Sequence, residues 1–103
     1  MRLYLLTLAF ALGCTNTFPE PNSQQLARAQ TTNPNVRLQD LEQGRDLYLA
    51  KCGSCHGLTD PARFDYAGWQ KTVQRMRTEH DVKLTDAQAA DIVAYLSSAN
   101  GGT

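Results

Sequence analysis

No stretch of this sequence alternates apolar with polar residues for long enough to read as a half-buried strand, which excludes a sheet as the main architecture. Neither charge is in excess: ten lysines and arginines stand against ten aspartates and glutamates. Without a basic stripe there is nothing to grip a nucleic-acid backbone, and without an acidic block there is no solvated tail. No internal repeat is visible. Nor does a nucleophile stand with a base in a pattern that reads as substrate chemistry. Long apolar runs are missing too. The apolar-biased segment Leu3 to Leu12 would rise only ~15 Å as a helix, half of a ~30 Å hydrocarbon core, so it is too short to span. At 103 residues the chain holds one domain at most.

The N-terminus "MRLYLLTLAFALGC" has one arginine, the apolar segment, and a small residue, Gly13, before Cys14. That order reads as a bacterial export signal over residues 1–13. The junction "ALGC" resembles a lipoprotein box, in which the signal is cut just before a cysteine that is then acylated. The usual leucine and small residue before Gly13 are exchanged here for Ala11 and Leu12. The resemblance implies lipidation of Cys14, a stable membrane anchor, and residence on the periplasmic side.

Thr15 to Val36 is rich in Asn, Gln, Thr and Pro and has little periodic apolar content. Its composition predicts a flexible tether over residues 14–36, the alternative being a loop packed on the domain. As a coil its 22 residues would span roughly 25 Å root-mean-square and about 70 Å at full stretch. The folded domain then covers residues 37–103 and is all-α. A first helix is expected from Asp40 as N-cap, with Leu41, Gly44, Tyr48 and Cys52 on one face. A second is expected from Asp65 to about Glu79, with Trp69, Val73 and Met76 facing inward. A third opens at the capping box Thr85–Gln88, buries Ala89, Ile92, Tyr95 and Leu96, and ends at Asn100. So small a core often needs a staple.

The segment "KCGSCHGL" holds two of the three cysteines, with a histidine directly after the second. A thioredoxin-like pair needs a βαβ surround, and a structural zinc site needs four ligands. A disulfide would leave His56 unexplained. Cys52-Gly53-Ser54-Cys55-His56 is the C-x-x-C-H pattern of c-type haem attachment. The spacing lets the two thiols add across the two porphyrin vinyl groups, while the adjacent imidazole lies under the iron as proximal ligand. One covalent haem would also enlarge the small core.

With this motif the chain resembles a class I c-type cytochrome over most of residues 41–97. Gly44 and Tyr48 match the small and aromatic positions where that family's first helix crosses its last. Cys52, Cys55 and His56 match the attachment motif, and Gly57 is common after the histidine. Pro61 matches a proline whose backbone orients the proximal histidine, and Tyr95 and Leu96 match the end of the last helix. "WQKTVQRM" looks like the Trp-to-Met segment of some small bacterial cytochromes. Two residues compete for the distal iron position. Met76 is the only methionine beyond the signal, lies on the face of Trp69 and Val73, and carries a soft neutral thioether. His80 lies four residues on, in the polar run "TEHDVK". Met76 is the expected ligand, and the resemblance adds to its case. Trp69 is expected near the haem, Tyr66 as an ordinary core aromatic, and Arg75 and Arg77 on a solvated face.

The expected function is single-electron transfer by one haem c with a redox protein partner, from a membrane-tethered position. One alternative is an electron-transfer subunit of a larger dehydrogenase. Another is a haem sensor or peroxidase with an open sixth site.

Overall fold

The computed structural model describes residues 18–52 and 58–99, and among them every regular element is helical. Helix α1 spans Ser23–Thr32, α2 Leu38–Leu47, α3 Tyr66–Glu79 and α4 Asp86–Ala99. A π-helical turn, Tyr48–Cys52, continues α2, and a short 3₁₀ turn, Pro61–Arg63, precedes α3. The all-α expectation holds, with one more helix than expected.

That extra helix corrects the tether. Asn22 caps α1: its side chain accepts the Gln25 amide at 2.9 Å, and the Gln25 side chain accepts the Asn22 amide at 3.1 Å. This reciprocal box starts a helix in a polar segment. Packing then keeps it, since Ala29 and Val36 are buried in a small cluster with Leu41. Arg28 also donates to the Ser98 carbonyl at 3.0 Å, tying α1 to α4. Upstream of α1, Phe18 packs on Tyr48 with ring centroids 5.7 Å apart. Residues 18–36 are therefore part of the folded body; Cys14 to Thr17 lie outside the described residues.

α2 begins three residues before the expected start. Arg37, extended, holds the cap position, and Asp40 sits in the first turn. The Asp40 carboxylate accepts the Arg37 amide at 2.9 Å and its guanidinium at 2.8 Å. Asp40 thus reaches back to the helix start instead of beginning it. The expected face of α2 is the one that packs: Leu41, Gly44 and Tyr48 are buried and Cys52 is half-buried.

α4 is the central element, in contact with α1, α2, α3 and the 3₁₀ turn. Its capping box is formed as expected, Gln88 donating to Thr85 Oγ1 at 3.1 Å and Thr85 to Gln88 Oε1 at 2.9 Å. Ile92, Tyr95 and Leu96 are fully buried, and each such apolar side chain contributes about 1.5–3 kcal/mol. Gly44 sets the α2–α4 distance. A Cβ built there would lie 2.0 Å from the Asp91 carbonyl oxygen, so only a glycine lets these two backbones meet.

α3 starts at Asp65, whose side chain accepts the Gly68 amide at 2.8 Å. Trp69 and Val73 are buried and Met76 is half-buried. Tyr66 departs from expectation: at the first position of α3 it remains 36% exposed. α3 ends at His80, after which Asp81 takes a left-handed φ of 56° and the Val82 amide turns back onto the Met76 carbonyl at 3.0 Å.

Candidate functional site

Cys52 ends the π-helical turn that prolongs α2. A wider turn places one extra residue in the helix and re-aims the side chains that follow it, a device frequent at functional sites. Cys52 packs half-buried against the main core, which contains Tyr48, Trp69, Val73 and the inner face of α4. Met76 arrives from α3, and its Sδ lies 3.7 Å from Cys52 Sγ. The chain thus brings a thiol and a thioether together from elements 24 residues apart. Leu58 and Leu84, also half-buried, pack against the same core and extend this apolar edge.

The other members of the motif, Cys55 and His56, lie outside the described residues, as do Gly53, Ser54 and Gly57. The two ends of that segment are nonetheless held to one wall. Tyr48, four residues before Cys52, accepts the Thr59 amide at 2.9 Å and donates to the Thr59 carbonyl at 3.2 Å. A single buried phenol therefore pins the returning chain beside the helix that leads into the motif. Burial pushes the Tyr48 phenol above its ordinary range, against the lowering effect of the Thr59 hydrogen bonds. Beyond Thr59, Asp60 caps the 3₁₀ turn through the Ala62 amide at 2.9 Å. The carbonyl of buried Pro61 accepts Trp69 Nε1 at 3.0 Å. Trp69 meets Tyr48 and Phe64 edge-on, at centroid distances of 6.0 and 5.1 Å. Tyr48 and Trp69 together form the rigid back of the site.

The loop 80–85 closes another side. Lys51 donates to the Lys83 carbonyl at 3.2 Å, and Arg77 donates to the Leu84 carbonyl at 3.0 Å and to Asp86 at 2.9 Å. Arg77 thus turns back onto the loop that carries Leu84, contrary to the solvated face expected of it. Arg75 is on the solvated side as expected, paired loosely with Glu79 at 3.6 Å.

Of the two expected distal ligands, Met76 shares the site with Cys52, whereas His80 is exposed at the C-cap of α3. Sequence reasoning missed Leu58, Leu84 and the Tyr48–Thr59 tie. The first two are lone apolar residues in polar surroundings, which leave no periodic signal.

The donor set fits a haem. A thiol able to form a thioether and a neutral thioether able to bind iron meet at a half-buried apolar edge, backed by aromatic side chains. Among the described residues no cluster of three or more His, Cys, Asp or Glu offers a separate metal site.

The family model described as "Quinohemoprotein amine dehydrogenase A, alpha subunit, haem binding" matches residues 42–103. The match begins in α2 and takes in the C-x-x-C-H motif, α3 and α4; α1 precedes it. No curated protein and no solved structure matches the chain.

Proposed function

This chain belongs to the family of the haem-binding region of the quinohemoprotein amine dehydrogenase A alpha subunit, and on that premise we propose that it is an electron-transfer component that serves a larger dehydrogenase. It carries one haem c of the class I type. Cys52 and Cys55 hold the porphyrin by thioethers, His56 is the proximal ligand and Met76 the distal one. The haem, when bound, supplies one-electron uptake and release. The observation that carries this reading is the family match across the C-x-x-C-H motif and Met76. Geometry supports the choice of Met76, through its approach to Cys52.

The polypeptide's own part is to hold and to shield. The Tyr48–Thr59 tie keeps both ends of the attachment segment in register with α2. Trp69, fixed through its indole N–H to Pro61, walls one side without a titratable group. Met76 leaves α3 one turn before its end and binds as a soft neutral donor, which raises the reduction potential relative to a second histidine. The role is carriage of electrons rather than catalysis, and the partner is a redox protein.

The reading extends to location. The segment before Cys14 supports export, and the "ALGC" junction supports acylation of Cys14, which would hold the domain on the periplasmic side of a bacterial membrane.

The test is an absorption spectrum of the exported, purified chain, oxidised and reduced, with and without carbon monoxide. The expected result is a c-type reduced spectrum, a weak far-red iron–methionine band when oxidised, and no response to carbon monoxide. Met76→Ala should abolish the far-red band and lower the potential, while His80→Ala leaves both unchanged. Carbon monoxide binding by the unaltered protein would overturn the closed-site reading in favour of a sensor or peroxidase. Stoichiometric co-purification with a larger dehydrogenase would identify the partner.

A further inference from the structure

The stretch that reads as a tether is clasped to the domain. The Phe18 carbonyl accepts Arg45 Nε at 2.9 Å, and the Pro19 carbonyl accepts the Tyr95 hydroxyl at 2.7 Å. The two donors come from α2 and α4, the pair locked together at Gly44. Tyr95 is fully buried, and undoing the clasp would take the Pro19 acceptor from its hydroxyl. The Phe18 ring packs against Tyr48 just upstream of α1, which is itself fixed to α4 through Arg28 and Ala29. The chain is therefore committed to the folded body from Phe18 onward.

We infer that the domain is held within four residues' reach of its anchor, with its Phe18–Pro19 side turned to the lipid surface. This rests on the proposed acylation of Cys14. From Cys14 to Phe18 the chain reaches at most about 14 Å. A folded body of some 80 residues has a radius of gyration of about 12 Å, hence a diameter near ~30 Å. Turning the opposite side to the bilayer would need a leash running half-way round the body, roughly 45 Å on that diameter. Four residues cannot do this, whereas the 22-residue coil suggested by composition could.

Charge does not compete with the leash. Glu20 and Asp46 flank the clasp with side chains 81% and 78% exposed, and Arg45 lies between them as the only cation of the three. Among these three described side chains negative charge outnumbers positive, which gives no attraction to anionic headgroups, so membrane association should be insensitive to salt.

The test uses the full exported, haem-loaded chain on supported bilayers of phosphatidylethanolamine and phosphatidylglycerol. Neutron reflectivity compares it with a variant carrying twenty Gly/Ser residues between Thr17 and Phe18. The native protein layer should abut the headgroups at low and high salt, and the insertion should move it outward by on the order of 25 Å. A native layer that already stands off, unchanged by the insertion, overturns the inference. Two measurements separate this from a failure of the acylation reading. An intact mass lacking acyl chains on Cys14 overturns the leash together with its premise. An acylated chain whose Leu26–Ala29 amides exchange as fast as a coil overturns the leash alone.

Discussion

Gly44→Ala places a methyl group where α2 and α4 touch. The new Cβ would lie 2.0 Å from the Asp91 carbonyl oxygen and 2.5 Å from its carbon. Ordinary contact begins near 3.4 Å, so the two backbones must part by about 1.4 Å. Neither partner is a side chain that can swing aside. A radial gap of 0.5–1 Å already forfeits about a quarter to a half of a dispersion contact. Leu41, Tyr48, Ile92, Tyr95 and Leu96, all 0–1% exposed, lie in this part of the core. Overpacking of a tight core costs about 1–3 kcal/mol, and a backbone-to-backbone clash belongs at or above the upper end. Alanine's better helix propensity returns about 1 kcal/mol. The net expectation is a loss of about 2 kcal/mol, which for a domain of this size lowers Tm by roughly 8–16 °C. Circular dichroism melts of the haem-loaded protein measure this. The Gly44→Ala penalty should be the same in an Asp91→Ala background, because the obstacle is the main-chain carbonyl. A Gly44→Ala protein that melts at or above the unaltered one, as helix propensity alone would have it, refutes the close crossing.

Three further outcomes are expected. Thr85→Ala removes the acceptor for the Gln88 amide and should cost about 1 kcal/mol, read as a Tm lower by roughly 4–8 °C. Burial pushes the Tyr95 phenol up to about 12, with nearby Arg45 opposing the rise. Its folded state prefers the protonated form, so its contribution is complete below the ordinary phenol range and is lost as pH rises toward about 12. Denaturant melts should therefore weaken on that alkaline side, and less steeply in Tyr95→Phe. Asp91 is raised by burial and then by Asp40, with Gln43 donating to it at 3.2 Å. Its stabilising contribution belongs to the protonated state and is lost as pH rises through its raised value, so Asp91→Asn should match or exceed the parent Tm at neutral pH and flatten the acid limb.

The reasons for success and failure are local. The second and third expected helices were legible because each begins with its own cap, Asp65 and the Thr85–Gln88 box, and carries an apolar face at helical spacing. α1 was hidden by composition. Its box pairs Asn22 with Gln25, which is a readable signal, but few apolar residues follow it. What holds α1 is a docking surface made elsewhere, by Leu41 on α2 and by α4. Asp40 misled for a related reason: a carboxylate in the first turn and one at the cap look alike until the backbone shows which amide it accepts.

The sequence by itself determined the chemistry. Cys52, Cys55 and His56 stand at the short spacing on which the proposed haem attachment rests, and the haem-binding family match spans that motif. It also determined the helical class, because periodicity and caps are local properties. Tertiary structure decided what depends on distance between segments. It set Met76 beside Cys52 while leaving His80 exposed, though both were readable as ligands from residue type. It made Gly44 a requirement of the α2–α4 crossing. And it turned residues 18–36 from tether into body, because the partners of Phe18 and Pro19 are Arg45 and Tyr95, 27 and 76 residues away, and no local pattern encodes a hydrogen bond of that reach.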